Sequence, residues 1–175
     1  MKTIRLDGQD DRDLAKVLAR NLRSEDGLEV VGLASEGVGP DAVGWIRALD
    51  DARIPVSVRI SGKVGMRGIL LLLLADRSAV EEGSASAAGF HPLIAVVASA
   101  RLGSLAARRL ARAKDHLSVL RDEGVIATGP EIKGERQVWR AIRELPFSEA
   151  LDFAAAATRQ SHNKEEHSDE HRSTL

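Results

Sequence analysis

The chain has 175 residues, a formal net charge of -1 and 29% charged residues, a length suited to one domain that buries about 70% of its unfolded surface. Near-neutral charge argues against attraction to nucleic acid over the whole surface, and zero cysteines exclude a disulfide framework and a thiol nucleophile. The opening MKTIRLDGQDD has no apolar signal core and no apolar run approaches a membrane span, so the expectation is a cytoplasmic protein without membrane contact.

With two Trp, three Phe and no Tyr, the core has to be built from Leu, Val, Ile and Ala. Thr3 to Leu6 reads as a short strand ended by Asp7-Gly8. Asp10 to Arg23 then places Leu14, Val17, Leu18 and Leu22 at helical spacing, with Asp10, Asp11 and Asp13 where a helix N-terminus favours negative charge. Leu28 to Ala34 (LEVVGLA) is nearly all apolar, which predicts a parallel strand covered on both faces. Ser35 to Pro40 leads into a helix from Asp41 to Ala52, whose inner face is expected to be Val43, Ile46 and Leu49 with Trp45 at its edge. Strand and helix in alternation predict an α/β fold.

The central stretch is Pro55 to Ala75, PVSVRISGKVGMRGILLLLLA. Val56, Val58 and Ile60 alternate with Ser57, Arg59 and Ser61, the period of a strand with one buried face. A glycine-loaded turn from Gly62 to Gly68 follows, and Ile69 to Leu74 reads as a buried helix because Leu outnumbers β-branched residues. Ser78 to Phe90 is low in bulk and reads as two short strands around Gly83, His91 as a strand-end residue, and Ile94 to Ala98 as a further strand. Ala100 to Arg121 reads as one long helix with Leu102, Leu105, Leu110, Leu117 and Leu120 on one side and Arg108, Arg109, Arg112, Lys114 and Arg121 around the rest. That basic side has neither interleaved aromatics nor a reading motif to argue for nucleic acid. Val125 to Ala127 is a short strand, Gln137 to Arg143 and Glu149 to Ala157 are helices, and the polar stretch from Gln160 to Leu175 is a disordered tail. The tail's His162, His167 and His171 do not amount to a metal site, and no cofactor is implied.

A strand, a tight glycine turn and a buried helix present a nucleophile in some hydrolases, and the frame GKVGMRG from Gly62 to Gly68 resembles the G-x-A-A-S-M-G motif of the Clp protease proteolytic subunits, which share their spiral fold with the crotonases. The resemblance places the family's nucleophilic serine on Met66 and the next residue, an oxyanion-hole position, on Arg67. Ser35 to Pro40 resembles the family's S-P-G-G turn, whose glycine N–H helps hold the oxyanion; counting from Ala34 puts that donor at Val38, and counting back from Ser57 puts it at Gly37. The family histidine, about 25 residues after the serine in a His-Gln-Pro context, falls on His91, 25 residues after Met66 and before Pro92. Phe147 to Leu151 resembles the family's ending, where Leu145-Pro146 replaces the aspartate and Glu144 is the nearest acid.

The resemblance implies an α/β spiral of repeated β-β-α units with a late handle helix, a single domain over residues 1–159, and a homo-oligomer or a hetero-assembly with an active Clp subunit. Clp subunits carry an N-terminal segment that engages an unfoldase, whereas this chain starts almost at its first strand, so docking by that route is not expected. Its first functional reading is a Clp-like structural or regulatory subunit without a serine nucleophile. The alternative is an enzyme of the same fold, a Clp-type peptidase with Ser61, Ser84 or Ser86 as substitute nucleophile, or a crotonase-like acyl-CoA enzyme that uses the oxyanion hole. A third reading is a binding module using the basic helix.

Overall fold

The computed structural model describes residues 1–6, 8–23, 27–35, 37–82, 84–86 and 91–128. All of them belong to one compact unit, Met1–Arg136; the second unit, Gln137–Leu175, lies outside the described residues. Glu144, the family-like ending and the histidine tail therefore fall outside them, as does the expected boundary between residues 159 and 160.

Among the described residues, five strands and five helices follow one another in the α/β manner. They are β1 (Lys2–Leu6), α1 (Asp11–Asn21), β2 (Leu28–Ala34), α2 (Ala42–Asp50), β3 (Val56–Val64), α3 (Met66–Leu74), β4 (Arg77–Val80), β5 (Ala85–Ser86), α4 (Pro92–Arg112) and α5 (His116–Asp122). β1, β2, β3 and β4 are neighbours in that order, all parallel, and β5 pairs with the far end of β3. Among the described elements the expected β-β-α unit occurs once, at β4, β5 and α4; before it single strands alternate with helices, and α5 follows α4 directly.

The sheet is covered on one face. Ile4, Leu6, Leu28, Val30, Val58 and Ile60 are buried, while Arg5, Glu29, Val31, Leu33 and Arg59 on the alternate positions are exposed or half-exposed. This corrects the expectation of a doubly covered β2: Leu33 is 56% exposed. The polar face carries a cleft of about 240 Å³ lined by Glu29, Ser57, Arg59, Arg77 and Ala79 among others. An apolar run is compatible with one covered face or two, and only the neighbouring elements decide.

α1 forms where its sequence directs it. The Asp10 carboxylate caps it by accepting the Asp13 N–H at 2.7 Å, and Leu14 and Leu18 are fully buried. On α2 the inner face is Ala42, Trp45 and Leu49, all at 0% exposure, whereas Val43 is 38% exposed. Trp45 thus sits at the centre of that face and not at its edge. Its indole N–H has a buried acceptor, so the largest side chain of the core can be enclosed without an orphaned donor.

The largest departure is at the centre of the chain. The expected seven-residue turn from Gly62 to Gly68 contracts to Gly65: β3 runs on to Val64 and α3 begins at Met66. β3 continues through an irregularity in which Leu33 pairs with Ser61 but Ala34 pairs with Val64. Gly62, at φ 68°, takes the left-handed conformation that this bulge requires. α3 then buries eight consecutive residues, Arg67 to Leu74. Its leucines and Ile69 stabilise the core by about 1.5–3 kcal/mol each relative to exposure.

Two further expectations change. Ile94 to Ala98 belongs to α4 and not to a strand, because His91-Pro92 is a helix start: the His91 Nδ1 accepts the Leu93 N–H at 3.2 Å and Pro92 opens the helix. The long late helix is also broken. The backbone leaves helical geometry at Gly103 (φ 81°), α4 ends at Arg112, and α5 restarts at His116. Leu110, Leu117 and Leu120 are buried in the chain's own core, while Leu105 is 75% exposed. The leucine side of the expected long helix is therefore mostly internal. Leu105→Glu is expected to change stability by no more than about 0.5 kcal/mol in urea unfolding; a larger loss would show that Leu105 is covered in solution.

Candidate functional site

The parallel order places the ends of β2 and β3 side by side, and the turns that follow them face one another. The Gly65 N–H donates to the Ala34 carbonyl at 2.8 Å. α3 lies close on both strands: a Cβ at Gly68 would stand 2.6 Å from Val64 Cγ1 and 3.0 Å from the Ala34 oxygen. A Cβ at Gly37 would come within 3.4 Å of the Met66 methyl. The two turns expected to form an oxyanion hole, around Gly37-Val38 and around Met66-Arg67, are thus neighbours.

Backbone donors line this junction. Among the described residues no hydrogen bond uses the Gly37 or Val38 N–H, while the Gly39 N–H is bound. Gly65, the N-cap of α3, supplies no side-chain cap, and the first turn of a helix carries N–H groups without intrahelical acceptors and a partial positive charge. Met66 occupies the first position of that turn, partly buried against the core.

Beneath the junction lies a buried polar cluster. Asp11 on α1 is 7% exposed, and its Oδ2 accepts the Gly39 N–H at 2.6 Å while its Oδ1 accepts the Trp45 indole N–H at 2.9 Å. The Arg67 guanidinium, 7% exposed, pairs with Asp11 Oδ1 at 3.2 Å and donates to the Gln9 carbonyl at 2.6 Å. One carboxylate therefore ties the loop after β2, helix α2 and the start of α3 to α1. Burial couples the two charges, since each offsets part of the other's cost of leaving water.

The sequence placed Asp11 only as a helix N-terminal acid, and nothing in the spacing connects it with Arg67, 56 residues on. One signal was present: an arginine just before an apolar helix buried throughout has to find an anion.

His91 does not stand ready beside Met66 as an unengaged base, because its Nδ1 caps α4. A different histidine carries the more reactive setting. His116 on α5 is 2% exposed, its Nδ1 lies 3.3 Å from Ser86 Oγ on β5, and its Nε2 is buried without a hydrogen-bond partner among the described residues. Burial lowers its pKa from the ordinary 6.5, against an opposing pull from the Asp115 carboxylate. Ser84 Oγ is also buried without a hydrogen-bond partner among the described residues, and Ser61 lies on β3 opposite Leu33. Among the described residues no group of three acidic, His or Cys side chains could hold a metal ion, and no helix is long and apolar enough to cross a membrane.

No protein-family model matches the sequence, and no curated protein matches it. Solved structures do match the fold. An enoyl-CoA hydratase/isomerase from Pseudoalteromonas atlantica T6c superposes with a TM-score of 0.56 at 14% identity, covering 94% of this chain and 80% of that one. A protein named for enoyl-CoA hydratase from Streptomyces coelicolor A3(2) gives 0.60 at 15% identity, covering 97% and 86%. One from Magnetospirillum magneticum AMB-1, named for enoyl-CoA hydratase and carnithine racemase, gives 0.57 at 18%, covering 91% and 85%. The chain has the crotonase fold, and these likenesses stand on the crotonase side of the resemblance to Clp subunits and crotonases.

Proposed function

We propose that this chain is a crotonase-fold enzyme acting on acyl thioesters, whose carbonyl oxygen is held between the Gly37-Val38 turn and the first turn of α3, Met66 to Gly68. The observation that carries this reading is the apposition of two backbone donor turns, joined by the Gly65 to Ala34 hydrogen bond of 2.8 Å and locked from below by Asp11 and Arg67. Negative charge that develops on a thioester oxygen, in an enolate or a tetrahedral intermediate, is stabilised by such donors without help from a side chain at the turn. Met66 in the place of a serine therefore does not argue against activity, although it removes the basis for a Clp-type peptidase at this position. The expectation of a non-catalytic Clp-like subunit rests on that missing serine, and acyl-thioester chemistry does not need it. The enoyl-CoA chemistry in the names of the similar structures supports the substrate class. Assembly into a homo-oligomer remains part of this reading, with Val96 and Leu105 as exposed apolar side chains of α4.

The chromophoric cinnamoyl thioester of coenzyme A tests it. Donors on the carbonyl oxygen draw electron density along the conjugated chain, so binding is expected to give a saturable shift of its absorption to longer wavelength. Absence of any shift at millimolar concentration, with the protein folded by circular dichroism, would remove the proposal.

A further inference from the structure

β5 pairs with β3 so that Ser86 stands opposite Val64, one residue before the Gly65 N-cap of α3. Adjacent strands are about 5 Å apart, so the register brings the Ser86 backbone close to the N-terminal turn of that helix. Opposed residues of a parallel pair share a face, and Val64 faces α3, because a Cβ at Gly68 would meet Val64 Cγ1. Ser86 is half-buried, and across from it His116, 2% exposed, places Nδ1 at 3.3 Å. We propose that Ser86 and His116 are a nucleophile and general base that transfer the acyl group of a thioester to Ser86 and then to water.

The proposal rests on the acyl-thioester reading for its substrate class, but the nucleophile stands on its own geometry. A separation of 3.3 Å is slightly long for the pair, as is common before substrate tightens such contacts. With the proton on Nε2, the imidazole accepts the Ser86 hydroxyl proton at Nδ1. The depressed pKa of His116 keeps it neutral at pH 7, the form a base requires. Asp115 does not orient the ring: its carboxylate accepts the Leu117 N–H at 3.0 Å as the cap of α5. The buried Nε2, without an acceptor among the described residues, marks where a third group or a bound molecule would complete the pair.

The steps balance. Ser86 Oγ forms a bond to the carbonyl carbon as its proton passes to His116 Nδ1, and the negative oxygen forms against the first turn of α3. The carbon–sulfur bond then breaks, and the leaving sulfur takes the proton from His116, which gives a thiol and an ester on Ser86. A water molecule gives its proton to His116 and its oxygen to the ester carbon. Expulsion of Ser86 Oγ, reprotonated by His116, leaves a carboxylic acid. The sum is thioester plus water to acid plus thiol.

A fluorophosphonate probe, with the adduct located by peptide mass spectrometry, tests the nucleophile without assuming a thioester. The expected result is stoichiometric labelling of Ser86, abolished in Ser86→Ala, unchanged in Ser61→Ala and slowed about 100-fold or more in His116→Gln. Because His116→Gln could unfold the chain, Ser86→Ala, a small change at a half-buried site, is the decisive variant. No adduct, or an adduct on Ser84 or Ser61, overturns the proposal and leaves the thioester reading to the absorption shift of cinnamoyl-CoA. An adduct on Ser86 without such a shift upholds the nucleophile and overturns the thioester as its substrate. Thiol release from acetyl-CoA that persists in Ser86→Ala overturns the assignment of the reaction to Ser86.

Discussion

Replacing Asp11 by alanine is expected to cost about 3–5 kcal/mol of stability, the range for removing one partner of a buried ion pair. The side chains of Asp11 and Arg67 are each 8% exposed, so solvent screens the pair little. The alanine variant would take the Asp11 carboxylate from the Arg67 guanidinium and strand the Trp45 indole N–H and the Gly39 N–H, which Asp11 accepts at 2.9 and 2.6 Å. A loss of that size is a large part of the 5–15 kcal/mol typical of a domain and corresponds to a fall of roughly 10 °C or more in Tm. Asp11→Asn keeps an acceptor for one N–H but not the charge, and should fall between the two. The double variant Asp11→Ala, Arg67→Met should recover part of the loss, because the buried guanidinium that Asp11 paired is then gone as well. Urea unfolding of these four proteins and of Arg67→Met, which closes the cycle, measures all of this. A loss below about 1 kcal/mol in Asp11→Ala, or strict additivity in the double variant, would show that the cluster is not a unit.

That cluster also marks where reading the sequence stops. Element type was legible wherever a local pattern decided it: the helix read over Asp10 to Arg23 forms over Asp11–Asn21, and the parallel strand LEVVGLA and the buried helix ILLLLL form too. Errors arise where distant residues decide. Ile94 to Ala98 satisfies strand and helix periodicity alike, and the cap that makes it helical depends on the His91 side chain turning back onto Leu93. The late leucines form one stripe on an unbroken helix, but Gly103 and the gap before α5 fold Leu110, Leu117 and Leu120 onto the core and leave Leu105 outside.

The site divides the same way. The turns at Gly37-Val38 and Met66-Arg67 were paired only through the family resemblance, and the structure shows that they are neighbours. The contact of Ser86 with His116 was not legible, because 30 residues and the whole of α4 separate them. The resemblance directed attention to His91, whose spacing from Met66 fits, but that spacing cannot report that the imidazole is engaged as a helix cap.

Gly68→Ala is expected to destabilise the protein and to spoil the proposed carbonyl site together. In a helix interior alanine normally surpasses glycine by about 0.8–1.0 kcal/mol, so helix propensity alone predicts a more stable variant. The surroundings of Gly68 reverse the sign. A Cβ there would lie 2.6 Å from Val64 Cγ1, 3.0 Å from the Ala34 carbonyl oxygen and 3.3 Å from Ala34 Cβ. Val64 is β-branched, fully buried and held in the sheet opposite Ala34, and the Ala34 carbonyl is backbone already bonded to the Gly65 N–H, so neither neighbour can give way cheaply. The strain is relieved by lifting the start of α3 off the strands, at a net cost of about 1–3 kcal/mol. The same movement carries Met66 and the first-turn N–H groups away from the Gly37-Val38 turn. A misplacement near 1 Å costs about 10²-fold in a positioned reaction, so the cinnamoyl-CoA shift should disappear even at temperatures where the variant is folded. Thermal melting and the absorption titration separate the two effects. A Gly68→Ala protein that melts higher than the wild type would mean that α3 does not lie as close to β2 and β3 as described, and the apposition of the two turns would fail with it.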